Sequence, residues 1–445
     1  MKFVVTFIAF MICRCAGLVA AEKPQNIVFV LSDDLGFGDL GCYGGAEPKT
    51  PNVDRIAREG TLFTRFYVTA PICSPSRCGL ITGNFPVRWS ITSYLQTKAG
   101  NLACEQADFL DPTAPSLPRA LKAAGYATAH IGKWHLGGGR DVIDPPLFAA
   151  YGYDEGIGTW ESPEPHPDIT ASDWIWSDTD RVKRWERNGF FVDKTLEFLA
   201  KHKGKPCFVN LWLDDPHTPW VPGNEPVEKG ERNNSPQRLA RVLVEMDRQI
   251  GRLMDALPKD TLLIFASDNG PLPTFNGSRT LGLRGSKLSL YEGGVRMPFI
   301  ARWPGRIPAG RVDDTTVLAS VDMLPTLCAI AGAALPSNLK PDGMDVSSAI
   351  FGKPLVRSKG LFWEYGRNPK SFAYPPGRDR SPSIAVLDGK WKLLVNADGN
   401  GAELYDLQAD PIEEKNLALE KPDVTQHLTT MALDTFHARP FARRQ

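Results

Sequence analysis

Residues 26–34 read NIVFVLSDD, an apolar run that stops at a serine and two carboxylates. The run is short and continuous, and turn glycines follow at Gly36 and Gly38. That pattern predicts a buried strand of a largely parallel sheet, with Asp33 and Asp34 at its carboxyl end. The design recurs twice. CFVNLWL at 207–213 ends in Asp214, Asp215, Pro216 and His217, and TLLIFAS at 261–267 ends in Asp268, Asn269 and Gly270. A shorter run, YATAHI at 126–131, leads into Gly132, Lys133, Trp134 and His135.

Helical patterns lie between these strands. VDRIAREG at 53–60 and LPRALKAAG at 117–125 carry one apolar face each and stop at glycine. The longest runs from about Pro236 to Leu257, with Ser235 as N-cap and Pro236 at the first helical position. Its Leu239, Val242, Leu243, Met246, Ile250, Leu253 and Leu257 form a stripe that reads as core packing. Strands and helices in alternation imply a doubly wound α/β sheet, which binds ligands outside the carboxyl ends of its strands. The polar clusters above all fall at such ends, so they are expected to converge on one cleft.

From about 140 to 190 the rhythm is lost in a stretch rich in Trp, Pro, Asp and Glu, which reads as a binding loop or a surface excursion. Past residue 355 come WKLLV at 391–395 and ELYDL at 403–407, two strands of a small sheet, and a helix at 424–436. The expected division is a leader at 1–21, a main domain at 22–355 and a C-terminal subdomain at 356–445.

The chain has 445 residues, and its 51 basic side chains balance 51 acidic ones, so nothing points to a nucleic-acid groove. MKFVVTFIAFMICRCAGLVAA at 1–21 has the form of a secretory signal peptide; Arg14 interrupts its apolar run, which argues against a stable membrane span. The expected location is therefore exported, periplasmic or secreted. Six cysteines follow the leader, too sparse for a disulfide scaffold and not paired as in a zinc site. Cys73 stands apart, because its neighbours in PICSPSRCGLITG, residues 71–83, are polar and conformationally restricted.

Asp33, Asp34, Asp268 and Asn269 make two oxygen-rich pairs. Adjacent carboxylates repel unless a cation or proton compensates them, and oxygen donors suit Ca²⁺ or Mg²⁺ better than zinc. Either pair alone reads as a cap or a solvated turn; together they point to a metal. Arg77, Lys133, His135, His217 and Lys287 supply positive and proton-exchanging groups around it. The set fits a tetrahedral, multiply anionic group, a phosphate or a sulfate, and the residues alone do not choose between them.

A resemblance does choose. Cys73, Ser74, Pro75, Ser76 and Arg77, then Leu80, Thr82 and Gly83, resemble the signature of type I, formylglycine-dependent sulfatases. The family's second motif is matched by Gly125, Tyr126, Thr128, Gly132, Lys133 and His135. The likeness spans most of the chain and extends to arylsulfatases and N-acetylgalactosamine 6-sulfatase-like polysaccharide sulfatases. It implies an alkaline-phosphatase-like α/β fold and a maturation enzyme that oxidises Cys73 to Cα-formylglycine. It further implies one Ca²⁺ held by Asp33, Asp34, Asp268, Asn269 and the processed residue 73. By the same resemblance Arg77 orients and acidifies the hydrated aldehyde, and Lys133, His217 and Lys287 grip the sulfate. His217 or Lys287 protonates the leaving alcohol, and His135 is the base that expels sulfate.

Trp160, Trp174 and Trp176 in the irregular stretch suit stacking on sugar faces, with His166 and Asp168 as hydroxyl partners. The expected substrate is a sulfated galactan or a glycosaminoglycan-derived oligosaccharide. Two rivals stand beside this reading: a phosphatase or phosphodiesterase of the same superfamily, and a calcium-dependent protein that binds sulfated glycans without cleaving them.

Overall fold

A computed structural model describes residues 23–169, 180–223 and 234–438. Its centre is a nine-stranded sheet. The strands are β1 (Asn26–Ser32), β2 (Thr61–Tyr67), β3 (Ala127–Gly132), β4 (Glu155–Gly158), β5 (Cys207–Trp212), β6 (Thr261–Ser267), β7 (Arg296–Arg302), β8 (Arg311–Asp313) and β9 (Leu318–Ala319). They lie in the order β4-β3-β5-β1-β6-β7-β2-β8, with β9 beside β2. The sheet is mixed. β4, β3, β5, β1 and β6 are parallel, whereas β7 runs antiparallel to both β6 and β2.

β1 shows why its sequence does not alternate. Ile27, Phe29 and Leu31 enter one apolar core, and Val28 and Val30 enter the other. Both faces are covered, so every side chain of the strand is buried. The Pro236–Ala256 helix lays Leu239, Val242, Leu243, Met246, Ile250 and Leu253 on the second core. It starts where Ser235 Oγ accepts the Arg238 N–H at 3.2 Å, satisfying one of the unpaired donors of a first turn.

Strand directions set the position of everything functional. Two antiparallel steps, β6 to β7 and β7 to β2, give β2 the same direction as β6. Its carboxyl end, and the Cys73–Thr82 helix that follows, therefore lie on the edge where β1, β3, β5 and β6 end. The opposite direction of β7 brings its amino end, and the loop holding Lys287, to that same edge. At β3 the exit turn needs glycine. Gly132 has φ +111°, and a Cβ there would stand 1.9 Å from the Trp212 carbonyl oxygen.

A second, four-stranded antiparallel sheet comprises β10 (Leu361–Glu364), β11 (Ile384–Asp388), β12 (Trp391–Val395) and β13 (Glu403–Asp406), followed by the Pro422–His437 helix. Lys392 on β12 is fully buried, 2.9 Å from both Glu292 and Glu413. Tyr67 also donates to Glu292, at 2.8 Å. Lys392→Met leaves Glu413 without its cation and Glu292 with only the longer pair to Arg296 at 3.6 Å, and loss of one partner from a buried ion cluster costs about 3–5 kcal/mol. Urea unfolding should show a loss of that size; a change within about 0.5 kcal/mol would show that the cluster does not hold the small sheet in place.

Candidate active site

Cys73 opens a ten-residue helix in which every residue is buried. Polar groups inside it are matched one by one. Ser74 Oγ accepts the Leu95 N–H at 3.0 Å, and Ser76 Oγ donates to the Asp268 carbonyl. Arg77 donates from Nε and Nη2 to Asp268 Oδ2 at 3.0 and 2.7 Å, and from Nη1 to the Lys133 carbonyl at 2.8 Å. Its guanidinium also lies 5.2 Å from the Trp212 ring centroid. Arg77 thus locks the helix to the ends of β6 and β3, and its hydrogen bonds go to those elements, not to Cys73.

Two side chains from strand ends and one from the loop before β7 meet at the Cys73 sulfur. Lys133 Nζ lies 3.4 Å from Sγ, Asp33 Oδ1 3.6 Å and Lys287 Nζ 3.8 Å. Lys133 also forms a short ion pair with Asp33, and Lys287 Nζ meets Asp34 Oδ1 and Oδ2 at 2.6 and 2.7 Å. Lys287 is fixed by its own backbone, since its N–H reaches the Pro271 carbonyl and that of Leu288 the Pro71 carbonyl. Asp34 (φ 63°) and His135 (φ 56°) both hold left-handed backbone, a strain that non-glycine residues accept where a site demands it.

One ligand atom each from Asp33, Asp34, Cys73 and His217 lie within 4.8 Å of one another. The sequence reading placed His217 on the substrate and not in this group. Asp268 and Asn269 border it: Asp268 Oδ1 accepts the Asp34 N–H at 3.2 Å, and Asn269 Nδ2 donates to Asp34 Oδ1 at 2.7 Å. Asn269 Oδ1 is buried and accepts no hydrogen bond among the described residues. Burial, then repulsion from Asp33, pushes the Asp268 carboxyl up to about 6 despite Arg77 and Lys133. An orphaned amide oxygen beside three carboxylates is a donor set that a hard divalent cation fits.

Burial opposes ionisation of Asp33, yet Lys133, His217, Arg77 and Lys287 together hold it well below the usual carboxylate range. Burial pushes the Cys73 thiol up to about 12, outweighing the two lysines. As a thiol, then, residue 73 is almost wholly protonated at neutral pH and a poor nucleophile. Burial first, then Lys287, lowers His217 to about 4. Its Nδ1 lies 2.6 Å from the Thr218 carbonyl and therefore carries the proton, leaving the Nε2 lone pair 3.9 Å from Asp34 Oδ2.

Sequence reasoning missed the groups that hold these residues in place. Arg184 reaches Asp214 at 2.8 Å, Asp215 at 2.5 Å and the His217 carbonyl at 3.2 Å, and Arg187 reaches Asp214 at 2.9 Å. These arginines bind the loop that carries His217. Glu161 lies 3.3 Å from His135 Nε2 and pairs with Arg140. Neither group sits in a periodic pattern, so no sequence signal marked it.

The sugar-contact candidates are only partly brought together. Trp160 stacks with the Arg140 guanidinium at 4.9 Å and so borders the His135 side of the site. The polar contacts of His166 and Asp168 include one between them and others to Gly158, Ile169, Val182 and Arg181, and the His166 ring packs on Phe190. Trp174 and Trp176 lie outside the described residues.

Comparison with known proteins decides the family. The sulfatase family model matches residues 25–333, and a model for the C-terminal part of N-sulphoglucosamine sulphohydrolase matches 286–436. The chain belongs to the sulfatase family. Human arylsulfatase A is 32% identical, with 96% of this chain and 90% of that protein covered. An N-acetylgalactosamine-6-O-sulfatase of Bacteroides thetaiotaomicron is 28% identical over 92% of this chain and 93% of its own length. A solved protein from that bacterium, described in connection with the metabolism of multiple glycosaminoglycans, superposes with a TM-score of 0.74 at 25% identity, covering 93% of this chain and 99% of that one. The sulfatase is thus a sulfuric ester hydrolase with a nucleophile derived from Cys73. Among its described residues, no helix is long and apolar enough to cross a membrane.

Proposed function

We propose that this sulfatase is exported and removes sulfate esters from sulfated galactan or glycosaminoglycan-derived oligosaccharides, using Cα-formylglycine made at residue 73. The observation that carries the reading is the convergence of Lys133, Lys287 and Asp33 on the Cys73 sulfur. Hydrated formylglycine supplies two hydroxyls on one carbon, one to attack sulfur and one whose proton, once removed, drives sulfate off. Asp33, Asp34, Asp268, Asn269 and residue 73 would hold Ca²⁺, whose charge there steadies the sulfate oxygens.

The remaining work falls to this chain's own side chains. Lys133 and Lys287 point ammonium groups at the reacting position and stabilise the spreading negative charge of sulfuryl transfer. Burial works against the Lys287 ammonium, but Asp34 and Asp33 raise its pKa, whereas His217 is neutral at pH 7. Lys287 is therefore the group that arrives carrying a proton for the leaving alcohol, and His217 turns a lone pair toward the site. Arg77 acts by its charge and by fixing the helix. The sugar class draws support from the activity in the name of the Bacteroides relative.

The test is to co-express the chain with a formylglycine-generating enzyme, confirm by mass spectrometry the loss of thiol mass at residue 73, and screen sulfated mono- and oligosaccharides for released sulfate. Release from a galactose- or hexosamine-containing substrate is expected. Binding of such sugars without release by processed protein would favour a lectin, and faster release of phosphate from phosphate esters would favour a phosphatase.

A further inference from the structure

We propose that Glu161 is a positioning residue that fixes the ring of His135 so that Nδ1 takes the proton during sulfate release. This rests on the reading of His135 as the base for that step. Glu161 is fully buried in the irregular WESPEP segment, a place where a carboxylate needs a reason to be. It meets His135 twice: its carbonyl accepts the His135 N–H at 3.1 Å, and its Oε2 lies 3.3 Å from His135 Nε2. The Leu95 carbonyl also faces Nε2, at 3.2 Å. A carbonyl can only accept, so Nε2 carries the proton and the Nδ1 lone pair is the basic one.

The carboxylate is itself clamped. Arg140 pairs with Glu161, donates from Nη1 to the same Leu95 carbonyl at 3.2 Å, and stacks on Trp160. Burial first, and then the positive charge of Lys133, Arg140 and Arg77, opposes protonation of His135. Burial pushes the Glu161 carboxyl up to about 7 against the pull of Arg140 and Lys133, and in its ionised form it offsets the charge that appears when the ring accepts a proton. A carboxylate behind a histidine base, orienting its tautomer and stabilising its imidazolium, is a well-understood device. In the step concerned, Nδ1 removes the proton of the free hydroxyl at residue 73. The O–H electron pair becomes the second bond of the carbonyl, the C–O bond to sulfate breaks, and sulfate leaves with that bonding pair. The proton then passes from the ring to solvent.

Two measurements on the full chain test this. Nitrogen-15 spectra of histidine-labelled protein, with His135 assigned by its loss in His135→Ala, should show the proton on Nε2; a proton on Nδ1 would overturn the proposal. In processed enzyme turning over 4-nitrophenyl sulfate and each sulfated sugar it accepts, Glu161→Gln should release about one equivalent of alcohol per chain ahead of sulfate. Its steady-state rate should fall about 10–100-fold, the range for removing the partner that orients a histidine, with the first alcohol release nearly unchanged. Glu161→Asp should recover part of the loss. Equal slowing of both products, or an aspartate variant no better than glutamine, would reduce Glu161 to a structural role. The reading of His135 fails separately, if His135→Ala itself shows no lag between alcohol and sulfate.

Discussion

Replacing Cys73 with serine is expected to leave a folded protein that cannot turn over, with kcat below about 10⁻³ of the processed enzyme, or ~4 kcal/mol at 1.36 kcal/mol per decade. The fold should survive because residue 73 opens its helix and its near neighbours are polar: the Lys133 and Lys287 ammoniums and the Asp33 carboxylate. A hydroxyl can accept from the first two and donate to the third. The chemistry should fail because serine brings one oxygen. Once that oxygen is sulfated, no second hydroxyl remains to expel sulfate by C–O cleavage, and the ester must wait for slow hydrolysis at sulfur. At most one slow sulfation per chain should appear by intact mass, with circular dichroism and thermal unfolding close to the parent. Multiple turnovers by the serine variant would remove the case for a hydrated aldehyde.

How far the sequence reveals this arrangement depends on how each segment is buried. β1, β5 and β6 are legible because strands covered on both faces become unbroken apolar runs with polar residues at their ends. The site residues at those ends follow from the same pattern. β7 is not legible. RMPFIAR has a proline inside it, which ordinarily argues against an inner strand. β2 carries Arg65 and a register shift between Phe63 and Phe66. Without these two strands the sheet reads as doubly wound and parallel, and nothing explains why the Lys287 loop joins the others.

The Cys73–Thr82 helix is hidden for a different reason. A helix buried on every side has no apolar stripe to betray it. Its motif could be matched by resemblance, but its helical state could not be read from periodicity. Glu161, Arg184 and Arg187 escape for a third reason. Each works by filling a buried charge balance, and such a balance exists only after distant segments meet. The Asp214–Asp215 pair was visible at the end of its strand, but the arginines that satisfy it come from beyond residue 180 in a stretch without rhythm.

Asp33→Asn is the second large effect, and it separates the metal reading from the lysine reading of the site. Asp33 is wholly buried and faces Lys133 in a short ion pair, Arg77 at 3.5 Å and the residue-73 sulfur at 3.6 Å. Asparagine keeps the shape and one carbonyl oxygen but removes the charge. Lys133 and Arg77 are then left facing each other with one fewer anion, so the substitution should cost about 3–5 kcal/mol of stability. A hard divalent cation draws its affinity from the number of charged oxygens around it, so calcium binding should weaken together with stability. Titration calorimetry on the unprocessed Cys73 chain reads that binding without any turnover. The expected result is at least a tenfold weaker Ca²⁺ affinity and, in processed enzyme, kcat/KM lower by about 10³ or more. Added calcium should recover part of the activity if the ion is what Asp33 chiefly serves. Activity that stays low at saturating calcium would assign Asp33 to holding Lys133, while unchanged calcium affinity in the variant would exclude it from the ion's ligands.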